Sequence, residues 1–235
     1  MTAVASVSAI FPCYNDEHTI GGLVDDVYEV LAPLVETVEV IVVNDGSTDG
    51  SSGVLDRLAG ERPWLTVVHH ECNGGYGRAL LTGFANATLD WIFYTDGDAQ
   101  YDARQAATLI PLAADVDVVQ GYKIGRGDPW YRKLIGRVYH HVVRALFGLH
   151  VRDTDCDFRL FRRHLVTDVP LESTSGVVCV EMMYRFERAG ARFVETPVHH
   201  YFRPHGRSQF FRLPAIASSA RQLLSLWWKL VVRGR

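Results

Sequence analysis

Trp91-Ile92-Phe93-Tyr94-Thr95-Asp96-Gly97-Asp98 sets five strand-forming residues directly before two carboxylates that flank a glycine. The apolar run is short and rich in aromatic and β-branched side chains, the pattern of a strand buried on both faces. Similar runs occur at Ser6–Phe11, Val38–Val43, Leu65–His70 and Val116–Gln120. Between them, Ile20–Leu34, Ser51–Leu58, Gly77–Leu89 and Ala103–Ala113 carry apolar residues at helical spacing. Strands alternating with helices predict an α/β fold with a mostly parallel sheet. Ligands of such sheets bind beyond the carboxyl ends of the strands. The polar clusters Asn15-Asp16-Glu17, Asn44-Asp45-Gly46-Ser47 and Asp96-Gly97-Asp98 all fall there.

The second half changes character. Tyr131–Phe147 reads as an amphipathic helix, Phe158–Phe161 as a short strand, Val180–Ala189 as a helix and Arg192–Tyr201 as a strand. Leu213–Val232 is helical and apolar, but Arg221 and Lys229 interrupt it. No internal repeat and no linker rich in Pro, Gly or Ser divides the chain.

The chain has 235 residues, 48% hydrophobic and 22% charged, which excludes a disordered or low-complexity protein. No uncharged apolar stretch reaches about 18 residues, so no ordinary transmembrane helix is expected. The start lacks the basic n-region of a signal peptide. Cys13, Cys72, Cys156 and Cys179 are scattered without a CxxC, which points to reduced thiols in the cytoplasm. Net charge is -3, but residues 1–122 hold 18 acids against 4 bases and residues 123–235 hold 9 against 20. The acidic half could hold a metal cation, and the basic half could meet phosphate, nucleic acid or an anionic membrane. The aromatics of the basic half are not interleaved with bases as a stacking platform requires, so nucleic acid is not expected.

Asp96 and Asp98, one residue apart at a strand end, suit a hard divalent ion such as Mg²⁺ or Mn²⁺ that also holds a diphosphate. A plain acidic turn has the same spelling. Asn73-Gly74-Gly75-Tyr76-Gly77 with Arg78 opens a helix, and Gly75 permits the close approach of a diphosphate or sugar to its N-terminus. Ten histidines include no HExxH and no cysteine partner at zinc spacing, so a transition-metal site is not expected.

Three motifs occur in order at βα spacing: Phe11-Pro12-Cys13-Tyr14-Asn15-Asp16-Glu17, Val42-Val43-Asn44-Asp45-Gly46-Ser47-Thr48-Asp49-Gly50 and Asp96-Gly97-Asp98-Ala99-Gln100-Tyr101. Together they resemble glycosyltransferase family 2, inverting enzymes of GT-A fold that use nucleotide-sugar donors. Gly121-Tyr122-Lys123, Asp153-Thr154-Asp155-Cys156-Asp157-Phe158-Arg159-Leu160-Phe161 and His200–Phe211 resemble its polyprenyl-phosphate branch, which includes the dolichol-phosphate mannosyltransferases.

The resemblance implies a metal-dependent inverting hexosyltransferase that moves a sugar from a UDP- or GDP-linked donor to a polyprenyl phosphate. It places Pro12, Tyr14, Asn15 and Glu17 around the nucleoside and Asp45 against base or ribose. Asp96, Gln100, Arg203 and Ser208 join that donor set, and Gly75 and Arg78 flank it. A lipid-linked phosphate needs cations, and the resemblance gives Lys123 and Arg132 that role, with Arg126 beside them. Asp155 and Asp157 are the candidate catalytic acids, Asp155 being favoured, although an ionised phosphate has little need of a base. The domain expected over 1–211 has its nucleotide-sugar half at 1–122 and its acceptor half at 123–211. The segment 212–235 is expected to dock on the inner face of the cell membrane or to pack on the domain. A homo-oligomer or a membrane-protein partner remains open. Transfer to a sugar hydroxyl in polysaccharide or glycolipid assembly is the alternative within the class. A sugar nucleotidyltransferase or a non-catalytic nucleotide-sugar binder is the alternative outside it, but the acidic Pro12–Glu17 stretch departs from the former's basic loop.

Overall fold

The computed structural model describes residues 4–125, 130–205 and 213–234. Seven strands form one sheet in the order β3-β2-β1-β4-β6-β5-β7. They are β1 (Ser6–Cys13), β2 (Thr37–Asn44), β3 (Leu65–His69), β4 (Trp91–Thr95), β5 (Val118–Ile124), β6 (Phe158–Arg162) and β7 (Phe193–His199). β6 alone runs antiparallel, wedged between β4 and β5. The helices are α1 (Ile20–Leu31), α2 (Ser51–Glu61), α3 (Tyr76–Asn86), α4 (Trp130–Phe147), the single turn α5 (His164–Thr167), α6 (Val178–Arg188) and α7 (Leu213–Trp227).

Period-2 alternation sends successive side chains of the central strands into two cores. Ala9, Phe11, Val40, Val42 and Phe93 meet α1, α2 and the stretch Ala103–Ala113 on one face. Ile10, Ile41, Val43, Ile92 and Tyr94 meet α3, α4, α6 and α7 on the other. α1 shows why such a segment folds as a helix. Its buried residues Ile20, Leu23, Val24, Val27 and Leu31 recur at helical spacing and form one apolar stripe.

Three departures from the sequence reading have physical causes, and a fourth is a change of helix type. α1 stops at Leu31 rather than Leu34 because Pro33 brings no N–H to the next turn. Ala103–Ala113 is not an α-helix but two 3₁₀ segments, Ala103–Thr108 and Ile110–Ala113, with Pro111 at the start of the second. β5 is shifted toward its carboxyl end because it pairs in parallel with β7 as far as Ile124↔His199. Polar Gln120, Gly121 and Lys123 hide that half of the strand from a hydrophobicity pattern. At Gly121 a Cβ would lie 2.8 Å from the Phe158 carbonyl oxygen, so the strand needs glycine there. The fourth departure is at the end of the chain, where α7 gives way to a π-turn over Trp228–Val232.

α7 lies on its own domain by one face. Leu223 and Leu226 of α7 and Leu230 of the following π-turn are buried, and the Tyr184 hydroxyl donates to the Leu230 carbonyl at 3.1 Å. The other face leaves Leu224 and, in the π-turn, Trp228, Val231 and Val232 exposed. No helix among the described residues is long and apolar enough to cross a membrane.

Candidate active site

β1, β2 and β4 run parallel, so Asn15, Asp45 and Asp96 emerge from the same edge of the sheet. The antiparallel register Thr95↔Phe158 brings the start of β6 to that edge as well. The acidic loop Asp153–Asp157 therefore arrives beside the Asp96-Gly97-Asp98 turn. Lys123, near the end of β5, joins from the far side.

On the donor side most candidate side chains are already engaged with the protein. Asn15 adopts a left-handed conformation (φ 60) that asparagine tolerates. Its Oδ1 accepts from Thr48 N at 2.8 Å and its own N donates to Ser47 Oγ at 3.0 Å. Glu17 Oε2 accepts from Gly50 N at 2.8 Å. Tyr14 is half-buried and Pro12 lies within β1 beside Gly97. Asp45 is buried, and its carboxylate takes Gly74 N at 2.9 Å, Gly75 N at 2.8 Å and His70 Nδ1 at 2.7 Å. His70 is itself held by Thr82 Oγ1 at 3.0 Å. Asp45 thus pins the glycine loop to the end of β2. Gly75 has φ 95, and a Cβ there would come within 2.9 Å of the Thr174 carbonyl oxygen. Arg78 is exposed, with its N bonded to that same carbonyl at 3.1 Å.

Asp96 accepts a 2.7 Å hydrogen bond from the Tyr76 hydroxyl. Burial, with Asp157 and Asp98 nearby, pushes its carboxyl well above the usual range. Asp98 is buried, takes Gln100 N at 3.0 Å on Oδ1 and pairs with Arg203 on Oδ2. Burial raises its pKa too, and Arg203 opposes the rise. Asp16 is pushed up to about 6 by burial and by the charge of Asp98. No group of three or more potential metal ligands occurs among the described residues, but Asp96 and Asp98 present desolvated hard oxygens whose charge a cation would relieve. The Asp96–Asp98 pair fits a divalent ion on that ground.

Among the candidate acceptor residues, Lys123 Nζ donates to the Asp155 carbonyl and Lys123 N to Asp153 Oδ2 at 3.2 Å. Burial alone would lower its pKa, but Asp153, Asp155 and Asp157 outweigh it and keep the ammonium charged. Asp155 is half-buried, and its carboxyl rises to about 6 through burial, against the pull of Lys123. Asp157 Oδ1 accepts from Cys179 Sγ at 3.1 Å and from the Tyr94 hydroxyl at 3.4 Å, and Arg159 Nη1 stands 3.7 Å away. Arg159 is fully buried, held by Gln120 Oε1 at 2.6 Å and the Thr154 carbonyl at 2.6 Å. Arg126 and Ser208 lie outside the described residues, as does the Arg132 side chain.

The sequence reading gives no role to Tyr76, His70, Asp16 or Cys179. His70 follows β3 and carried the same strand-end signal as Asp45. Asp16 stood inside a quoted motif. Tyr76 sat among glycines, and the contact between Cys179 and Asp157 joins residues 22 apart with no local pattern.

The family model for glycosyl transferase family 2 matches residues 8–169. An undecaprenyl-phosphate 4-deoxy-4-formamido-L-arabinose transferase of Aeromonas hydrophila is 30% identical over 211 residues, covering 89% of this chain and 64% of its own. Glycosyltransferase AglD of Haloferax volcanii is 30% identical over 247 residues, covering 99% of this chain and 39% of its own. The chain therefore spans less than two thirds of the length of these two relatives. Among solved structures, mannosyl-3-phosphoglycerate synthase of Rubrobacter xylanophilus superposes with a TM-score of 0.73 at 19% identity, over 98% of this chain and 76% of its own. Glucosyl-3-phosphoglycerate synthase of Mycobacterium tuberculosis, crystallised with Mn²⁺, UDP and glucosyl-3-phosphoglycerate, gives 0.69 at 21% identity, over 96% of this chain and 79% of its own. These two share the GT-A fold with this chain. The family match spans the donor-side strands, the acidic turn after β4 and the Asp153–Asp157 loop, so this chain belongs to glycosyl transferase family 2.

Proposed function

We propose that the protein transfers a sugar, with inversion, from a nucleoside-diphosphate donor to a polyprenyl phosphate at the inner membrane surface. The observation that carries this reading is the meeting of Asp96 and Asp98 with Lys123 and Asp157 at one sheet edge, a leaving-group side facing an acceptor side. The names of the undecaprenyl-phosphate relatives support the lipid acceptor.

Asp96 and Asp98 would hold Mg²⁺ or Mn²⁺, which when bound supplies positive charge to the departing diphosphate. Tyr76 fixes the orientation of Asp96. The glycine loop, tied to Asp45, brings the N-terminus of α3 toward the donor. Lys123 offers charge to the acceptor phosphate, with Arg126 and Arg132 proposed to join it. That phosphate is largely ionised at neutral pH, since its second pKa is about 6, so its oxygen attacks without a strong base. Asp157 and Asp155 orient the acceptor rather than deprotonate it. The exposed side of the C-terminal helical segment, with Trp228, Arg221 and Arg233, suits the headgroup region.

A panel of labelled UDP- and GDP-sugars, incubated with purified protein and undecaprenyl phosphate in detergent, tests the reading. Label that moves into the lipid extract from one donor supports it. Label that moves instead to a soluble or membrane oligosaccharide favours the sugar-hydroxyl alternative.

A further inference from the structure

The segment after β7 runs beside the acidic turn that follows β4. Tyr101 and His200 form an isolated antiparallel bridge. Tyr201 N donates to the Gln100 carbonyl at 2.8 Å, and Gln100 Nε2 returns a bond to the Tyr201 carbonyl at 3.1 Å. Farther along, the His205 ring lies 5.1 Å from that of His18, on the loop that enters α1. Between these two ties, Arg203 sends Nη2 to Asp98 Oδ2. The pair is largely out of water, with side-chain exposures of 27% and 6%. Arg203 Nε is buried with no hydrogen-bond partner among the described residues.

Asp98 is also a carboxylate assigned to the divalent ion above, and the inference rests on that assignment. One of its oxygens takes Gln100 N and the other takes the guanidinium. An ion arriving at Asp98 Oδ2 competes with Arg203 for that oxygen. We propose that Arg203 is an internal cation that exchanges with the divalent ion at Asp98, and that a nucleoside diphosphate drives the exchange by capturing the released guanidinium. Guanidinium matches phosphate oxygens with a planar fork of donors, so the side chain leaves one anion for another. The ion alone has to break a partly shielded ion pair with only water to receive Arg203. Metal and diphosphate binding are then coupled through one side chain, and the coupling is reciprocal.

Mn²⁺ titration, read from the paramagnetic resonance signal of the free hydrated ion, tests this without turnover. Wild type and Arg203→Gln are each titrated alone and in the presence of UDP or GDP. The exchange predicts that Arg203→Gln binds Mn²⁺ alone at least about fivefold more tightly than wild type, and that added nucleotide tightens Mn²⁺ less in the variant. Equal Mn²⁺ affinity of the two proteins without nucleotide would overturn the exchange and leave the metal assignment standing. Absence of Mn²⁺ binding to either protein, with or without nucleotide, would overturn both together.

Discussion

The Tyr76 hydroxyl donates to Asp96 Oδ1 at 2.7 Å, tying the first residue of α3 to the acidic turn after β4. The bond joins the glycine loop to a proposed metal ligand. Tyr76→Phe removes only the hydroxyl and keeps the ring. Loss of a hydrogen bond to a carboxylate is worth roughly 1.5–3 kcal/mol. Turnover is expected to fall about tenfold or more, with the KM for donor changing little. An unchanged turnover number would mean that Asp96 holds its position without Tyr76.

Asp98→Asn removes one charged oxygen from the proposed cation site while keeping its shape. Activity is expected to fall by at least about a hundredfold, and chelation of divalent ions should silence the wild type to a similar degree. Full activity of chelator-treated protein would exclude a metal role.

His70 acts through Asp45. Its Nδ1 and the N–H groups of Gly74 and Gly75 share one carboxylate. His70→Ala should loosen the glycine loop and raise the KM for the nucleotide sugar about tenfold, because one charge-assisted bond is lost. His70→Gln, which can still donate, should restore part of it. A drop in thermal stability with an unchanged KM would show that the contact only supports the fold.

Asp155 gives a pH dependence with a definite sign. Its carboxyl rises to about 6 in the folded protein because burial penalises the charged form. Between about pH 4 and 6 the folded state holds the proton more tightly than the unfolded chain, so this residue's contribution to stability falls as pH rises through that window. Asp155→Asn should therefore stabilise the protein near neutral pH by roughly 1–3 kcal/mol, a gain that vanishes near pH 4. Denaturant melts at the two pH values check it. A variant less stable at neutral pH would mean that the Lys123 pairing outweighs burial.

The α7 face offers a test that leaves the core alone. Deleting the helix and the π-turn after it would strip Leu223, Leu226 and Leu230 from the packed interior. Trp228→Ser and Val232→Ser alter only exposed positions. Transfer of one large apolar side chain from water is worth roughly 1.5–3 kcal/mol, so binding to anionic liposomes should weaken about tenfold. Unaltered flotation would show that this face does not meet lipid.

Much of this fold was legible because buried strands of a parallel sheet spell themselves in runs of apolar residues. Trp91–Thr95 has the same bounds in the sequence and in the structure. Legibility failed where tertiary partners decide. β5 continues through Gln120, Gly121 and Lys123 because β7 and the acidic loop satisfy them, and no local pattern carries that information. Among the site residues, carboxylates at strand ends stood out because turn chemistry and charge mark them. The partners that orient them, Tyr76, His70 and Cys179, come from other elements and become visible only once the sheet has brought them together.

In the proposed reaction a sugar alone passes to a lipid phosphate. The most direct measurement is analysis of both products after reaction of purified protein with undecaprenyl phosphate and the active donor. Mass spectrometry should find undecaprenyl phosphate carrying one sugar, proton NMR an anomeric configuration opposite to that of the donor, and chromatography a nucleoside diphosphate in equal amount. Release of a nucleoside monophosphate, or retention of the donor's anomeric configuration, would contradict the account.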